Sequence, residues 1–148
     1  MSSTTSSKCP FCDLSQSYRD ILVGSHMRVI YPKNPNCMYH TLIVPKRHVE
    51  RFDELSGEEV NELHDLVKAV HNTLSEELGE QYMGYNLLAN NGGSRVNQHV
   101  MHSHMHMFSR TIHDLEDPVK SHSKDKIYDL TEAELGNMQR LKDWLATS

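Results

Sequence analysis

Short apolar runs separated by turn-forming residues make up the first part of the chain. Ile21-Leu22-Val23 and Met27 to Tyr31 flank Gly24-Ser25, which predicts two short strands joined as a hairpin. Pro32 to Met38 contains two prolines and two asparagines and reads as a loop. Thr41 to Val44 follows as a buried-type strand, stopped by Pro45 and the basic Lys46-Arg47-His48. The period then changes. Val60, Leu63, Val67, Val70, Leu74 and Leu78 recur at three-four spacing and form one stripe of a helix. Ser56 with Glu59 is a capping box at its start, Leu55 with Val60 a hydrophobic staple, and Gly79 marks its end. Met83 to Ala89 reads as a strand, Asn90 to Asn97 as a polar Gly-rich loop, and Val100 to Arg110 as a further strand. Residues 113–128 are mostly polar and are expected to form a surface loop. Thr131 with Glu134, accompanied by Leu130 and Leu135, repeats the capping box and opens a terminal helix through Trp144. Strands on either side of one long helix predict an α+β domain on an antiparallel sheet of about five strands.

A length of 148 residues suits one domain, with the Ser/Thr-rich residues 1–7 as a disordered arm. No apolar run is long enough to span a membrane, and the amino terminus lacks a signal-peptide layout, so a soluble cytoplasmic chain is expected. A formal net charge of −5 argues against an extended nucleic-acid surface but leaves room for a local phosphate pocket. Three cysteines are too few for a disulfide framework, and Cys9-Pro10-Phe11-Cys12 has the spacing of a metal or redox pair. Histidine is the anomaly: of 11, five fall between His99 and His113.

In a strand, alternate side chains share a face, so His102, His104 and His106 are expected to form one row with neighbours roughly 7 Å apart. That spacing is too wide for a chelating trio but suits a division of labour around one ligand, since imidazole serves as nucleophile, proton donor or metal ligand near neutral pH. A solvated stripe or adventitious metal patch is the competing reading. Upstream, Asn91-Gly92-Gly93-Ser94 offers an amide and free backbone N–H donors suited to phosphate oxygens.

These features, with His40-Thr-Leu-Ile-Val-Pro-Lys-Arg-His48 and the run His102-Ser103-His104-Met105-His106-Met107-Phe108, resemble the histidine triad (HIT) nucleotide-binding superfamily. The likeness extends from about Cys9 to Arg110 within a domain of residues 8–148, leaving a carboxy-terminal extension from about residue 111. The resemblance implies that His104 attacks an α-phosphorus to form a nucleotidyl-histidine, with His106 on the phosphate and Gln98 at the bridging or leaving-group atom. It implies nucleotide or phosphate contacts from Asn91, His99, His40 and Ser94. It also implies a structural zinc held by Cys9, Cys12, His48 and His102, with Cys37 a free thiol. A homodimer joining two five-stranded sheets is implied too. The expected substrates are dinucleoside polyphosphates, such as diadenosine tetraphosphate, or nucleoside phosphoramidates. A non-catalytic nucleotide-binding adaptor and a zinc-stabilised structural module are the alternatives. His26, His64, His71, His113 and His122 fall outside the signature.

Overall fold

The computed structural model describes residues 9–114, 117–122 and 132–147. Strands β1 (Asp20–Val23), β2 (Met27–Ile30), β3 (Tyr39–Pro45), β4 (Tyr82–Leu88) and β5 (Met105–Thr111) form one sheet. They lie in the order β1-β2-β3-β5-β4, every pair antiparallel. Helix α1 (Gly57–Leu78) follows β3, while α2 (Pro118–Ser121) and α3 (Glu132–Thr147) follow β5. The expected α+β architecture is present. No helix among the described residues is long and apolar enough to cross a membrane.

Strand parity divides the sheet into two chemically different faces. In β3 and β5, Tyr39, Ile43 and Met107 turn toward α1 and α3, where they join Val29, Leu63, Val67, Val70, Leu74 and Leu141 in the main core. The residues between them, His40, Leu42, Val44, His106 and Phe108, occupy the opposite face, where Phe11, Ile30, Leu42 and Val44 make a smaller apolar cluster. All seven residues of β3 are buried, as a central strand covered on both sides requires. The register sets Leu42 opposite His106 and His40 opposite Phe108, bringing two distant histidines side by side.

The start of α1 is decided locally. Ser56 Oγ accepts from the Glu59 N–H (3.1 Å), and Glu59 Oε1 accepts from the Ser56 N–H (2.7 Å), as the capping-box spacing predicts. Arg47 Nη2 also donates to Glu59 Oε1 (2.7 Å), fastening the segment after β3 to the same cap. Gly79, at φ +56°, ends the helix in a region where a side chain is disfavoured. At Gly24 a Cβ would meet the Glu62 carboxylate, so a side chain there would displace the acceptor of the His26 and Met27 N–H groups.

Two expectations need correction. Val100 to His104 lie outside the strand, which begins at Met105. The chain must turn at His102 to meet other groups, and His102 Nε2 instead donates to the Pro45 carbonyl (2.8 Å). The stretch expected to be a polar surface loop contains α2, whose start follows ordinary rules: Asp117 caps Val119 (3.0 Å) and Pro118 occupies the first turn. The terminal capping box at Thr131 and its companion Leu130, like the arm at residues 1–7, lie outside the described residues.

Candidate active site and metal centre

His104 and His106 sit at the entry of β5, their ring centroids 5.1 Å apart. His104 Nδ1 lies 2.8 Å from the His102 carbonyl, which can only accept. The ring proton is therefore on Nδ1, and Nε2 keeps its lone pair. Burial holds His104 below the ordinary histidine range despite that carbonyl, so the nucleophilic neutral form is favoured.

His106 is set up by a chain of donors reaching it from β3. The Asn36 N–H donates to His40 Nδ1 (3.0 Å), which places the His40 proton on Nε2. His40 Nε2 then donates to His106 Nδ1 (3.0 Å), which places the His106 proton on Nε2. That Nε2 is buried with no hydrogen-bond partner among the described residues. A buried N–H lacking an acceptor costs about 1–3 kcal/mol, so His106 presents a donor whose natural complement is an incoming anionic oxygen. Burial pushes His40 and His106 far below the usual histidine range, with neighbouring histidines adding to the shift, so both rings are neutral and the chain of donors has one direction.

Beside this pair, four ligand atoms converge. Cys9 Sγ, Cys12 Sγ, His48 Nδ1 and His102 Nδ1 all lie within 4.8 Å of one another. Measured edges are 3.5 Å for Cys9 Sγ to His102 Nδ1, 3.5 Å for Cys12 Sγ to His102 Nδ1, 3.2 Å for Cys12 Sγ to His48 Nδ1, and 3.1 Å between the two histidine nitrogens. Tetrahedral zinc with ordinary Zn–S and Zn–N bonds has S···N and N···N edges of about 3.3–3.6 Å. The carbonyl of Pro45 holds the proton of His102 on Nε2, leaving Nδ1 as a free lone pair, the orientation an outer-shell carbonyl imposes on a metal-ligating histidine. The donor set fits zinc, with the two edges to His48 Nδ1 slightly shorter than a tetrahedral site would have. Between the two clusters stands Phe11, edge-on to His102 (5.6 Å) and to His104 (5.2 Å), its carbonyl bound by Arg28.

The Gly-rich loop behaves differently from the sequence expectation. The Gly92 and Gly93 N–H groups are occupied: both donate to Gln98 Oε1, at 2.8 and 3.2 Å. Gln98 is buried and its Nε2 donates to the Glu50 carbonyl (2.7 Å), so its amide organises the loop from within. Asn91 Oδ1 accepts from the Phe52 N–H (2.7 Å), and Asn91, Ser94 and His99 are exposed. Among the described residues no hydrogen bond joins Asn91, Ser94 or Gln98 to His104 or His106. His99 is near enough to add to the lowering of His104, second to burial.

One residue set outside the signature belongs here. His122, at the end of α2, has its ring centroid 4.0 Å from that of His106. No local pattern announces it, although Asp117-Pro118 is a helix-start signal that would have placed an ordered element in the polar stretch. The other histidines outside the signature have ordinary roles, as with His71, whose ring nitrogen bonds Tyr82 Oη (2.8 Å) on α1 and β4.

A family model described as the HIT domain matches residues 19–113. An uncharacterized HIT-like protein of Methanocaldococcus jannaschii is 35% identical over 107 residues, 69% of this chain and 78% of the relative. An adenylylsulfatase of Arabidopsis thaliana is 28% identical over 116 residues, covering 76% of this chain and 57% of that protein. Among solved structures, a Zn-bound histidine triad family protein from Mycobacterium smegmatis superposes with a TM-score of 0.66 at 21% identity, over 86% of this chain and 84% of the other. The matched span carries the two paired histidine strands and the helix between them, and with this agreement in sequence and fold the chain belongs to the HIT family.

Proposed function

We propose that this protein is a nucleotide hydrolase or transferase that cleaves the α-phosphate linkage of dinucleoside polyphosphates or nucleoside phosphoramidates through a nucleotidyl-histidine. The observation that carries this reading is the complementary pair of nitrogens: a lone pair at His104 Nε2 beside an unpartnered N–H at His106 Nε2. The first suits attack on phosphorus, the second a phosphoryl oxygen. In the first step His104 Nε2 forms a bond to the α-phosphorus. The bond from phosphorus to the bridging oxygen or nitrogen breaks, and the leaving group departs with the electron pair and takes up a proton from water. In the second step water or another acceptor attacks the same phosphorus and gives its proton to solvent, while the N–P bond breaks, its electron pair returns to Nε2, and neutral His104 is restored. The relation to an adenylylsulfatase supports the α-phosphorus as the centre attacked, since adenylyl sulfate carries its leaving group there.

The remaining residues divide by reach. His40 acts through His106 by fixing its tautomer, and Gln98 acts through the loop it organises. His99, Ser94 and the free end of Asn91 are assigned to phosphate or sugar contacts from the exposed side. Cys9, Cys12, His48 and His102 are assigned to zinc. Bound there, the metal would supply a covalent tie between the amino-terminal turn and the approach to β5, holding Phe11 against His104.

A homodimer through β4 is part of the proposal. This strand exposes Met83, Tyr85 and Leu87, an apolar strip along an edge that pairs with no further strand among the described residues, and a second β4 would cover it to give a ten-stranded sheet.

The test is release of nucleoside monophosphate from diadenosine tetraphosphate and from adenosine 5′-phosphoramidate, by wild type and by His104→Ala. Turnover that falls at least about a thousandfold in the variant is expected for a lost nucleophile, with the preferred substrate defining the class. Activity surviving in His104→Ala would refute the mechanism.

A further inference from the structure

His122 reaches the active-site face from a segment that follows the whole sheet. Its ring lies 4.0 Å from His106, 5.9 Å from Phe108 and 6.5 Å from His40, the last at a perpendicular angle. Its Nδ1 is 3.4 Å from Asn36 Oδ1, an oxygen that only accepts, so Nδ1 carries a proton and Nε2 is the opposite end of the ring. Nε2 has no hydrogen-bond partner among the described residues. Asn36 serves two histidines at once: its N–H sets the tautomer of His40, and its side chain anchors His122. The half-buried ring thus has one end tied down and the other available, on a ring whose centroid is 4.0 Å from that of His106.

We propose that His122 is a specificity-determining residue whose Nε2 contacts the group attached to the attacked phosphorus, selecting substrates in which that group is itself a phosphate. The proposal rests on the nucleotidyl-transfer reading above and names its leaving-group class. The groups around the ring explain the selectivity. It faces His40 from β3, His106 from β5, and His104 and His99 from the approach to β5. Burial first, and the neighbouring His104 and His99 rings second, favour the neutral form of His122 in the free protein. A second phosphate provides an anionic oxygen that favours the protonated ring and turns Nε2 into a charge-assisted donor. The neutral amine released from a phosphoramidate offers no such oxygen.

AMP and ADP separate this role from simple packing, because they differ only by the phosphate in question. Calorimetric titration of wild type is expected to show tighter binding of ADP. His122→Phe keeps an aromatic ring against His106 and Phe108 and is expected to lower the ADP-to-AMP affinity ratio by about tenfold, the scale of one lost charge-assisted hydrogen bond. His122→Gln, whose amide nitrogen reaches toward the position of Nε2, restores part of the ratio, whereas His122→Asn, which reproduces only the Nδ1 end, does not. An unchanged ratio in His122→Phe overturns the proposal, and so does an equal loss for both nucleotides, the mark of a packing residue. Wild type that binds neither nucleotide overturns the nucleotide reading and this proposal together. Firm AMP binding with an unchanged ratio overturns this proposal alone.

Discussion

His40 and His106 each owe their chemistry to a neighbour that occupies one ring nitrogen. The same enclosure makes them sensitive to acid. Burial first, and surrounding histidines second, hold both far below the ordinary value of 6.5. Unfolding returns each ring to water, so below about pH 6.5 the unfolded chain binds protons that the folded chain refuses. Stability is therefore full above that pH and is lost on acidification, by up to roughly 1.4 kcal/mol per pH unit for each ring. Urea unfolding followed at about pH 7.5 and about pH 5.5 is expected to show a clear fall in midpoint. A midpoint that holds steady would mean that these rings are already charged in the folded protein, and the one-way chain of donors to His106 would be wrong.

Among the elements, the amino-terminal turn and the cap of α1 show two ways of fastening a segment. The cap is local: Ser56 and Glu59 satisfy each other's backbone groups three residues apart, a contribution of about 1 kcal/mol. The turn at Cys9–Cys12 has its own backbone bonds, from the Cys12 and Asp13 N–H groups to the Cys9 carbonyl at 3.0 Å each, yet its placement depends on residues far along the chain. His48 and His102 meet it from the end of β3 and the approach to β5. Cys12→Ser is expected to reduce bound zinc from about one per chain to well below that and to lower the melting temperature. Elemental analysis and a thermal melt on one sample check both. Full zinc content in the variant would remove Cys12 from the ligand set. Turnover should fall with the metal, because Phe11 rides on the same turn and packs against both His102 and His104.

For the whole molecule, the sheet has one face covered by helices, one face carrying histidines, and an edge at β4 that pairs with no further strand among the described residues. Met83 is 67% exposed and Leu87 45%, values at odds with an apolar strand left alone in water. Because Leu87 is exposed within one chain, Leu87→Asp should leave the chain folded while placing like charges across a β4–β4 contact. Light scattering coupled to size exclusion is expected to read a dimer for wild type and a monomer for this variant. A wild-type monomer at micromolar concentration would remove the ten-stranded arrangement.

The residue pattern alone determined the parts governed by near neighbours. The three-four stripe from Leu63 to Leu74 and the capping box set the position of α1, because both signals are complete within a turn or two of helix. Alternation predicts His102, His104 and His106 in one row, but only His106 lies within β5, and parity holds only as far as the strand itself extends. The family resemblance, and not spacing or periodicity, grouped Cys9, Cys12, His48 and His102 as a candidate metal set, and only the fold brings their ligand atoms within 4.8 Å of one another. Tertiary structure decided the rest. The register of β3 against β5 brings His40 to His106, and the departure of His102 from the strand turns its Nδ1 toward Cys9 and Cys12. The Gly92 and Gly93 amides, open in the sequence, are occupied by Gln98 once the loop folds back. His122 gives no local sign of its place because its neighbours, Asn36, His40 and His106, come from a loop and two strands that only long-range pairing assembles. Local periodicity specifies which way a side chain faces, and only the closing of the sheet specifies what it faces.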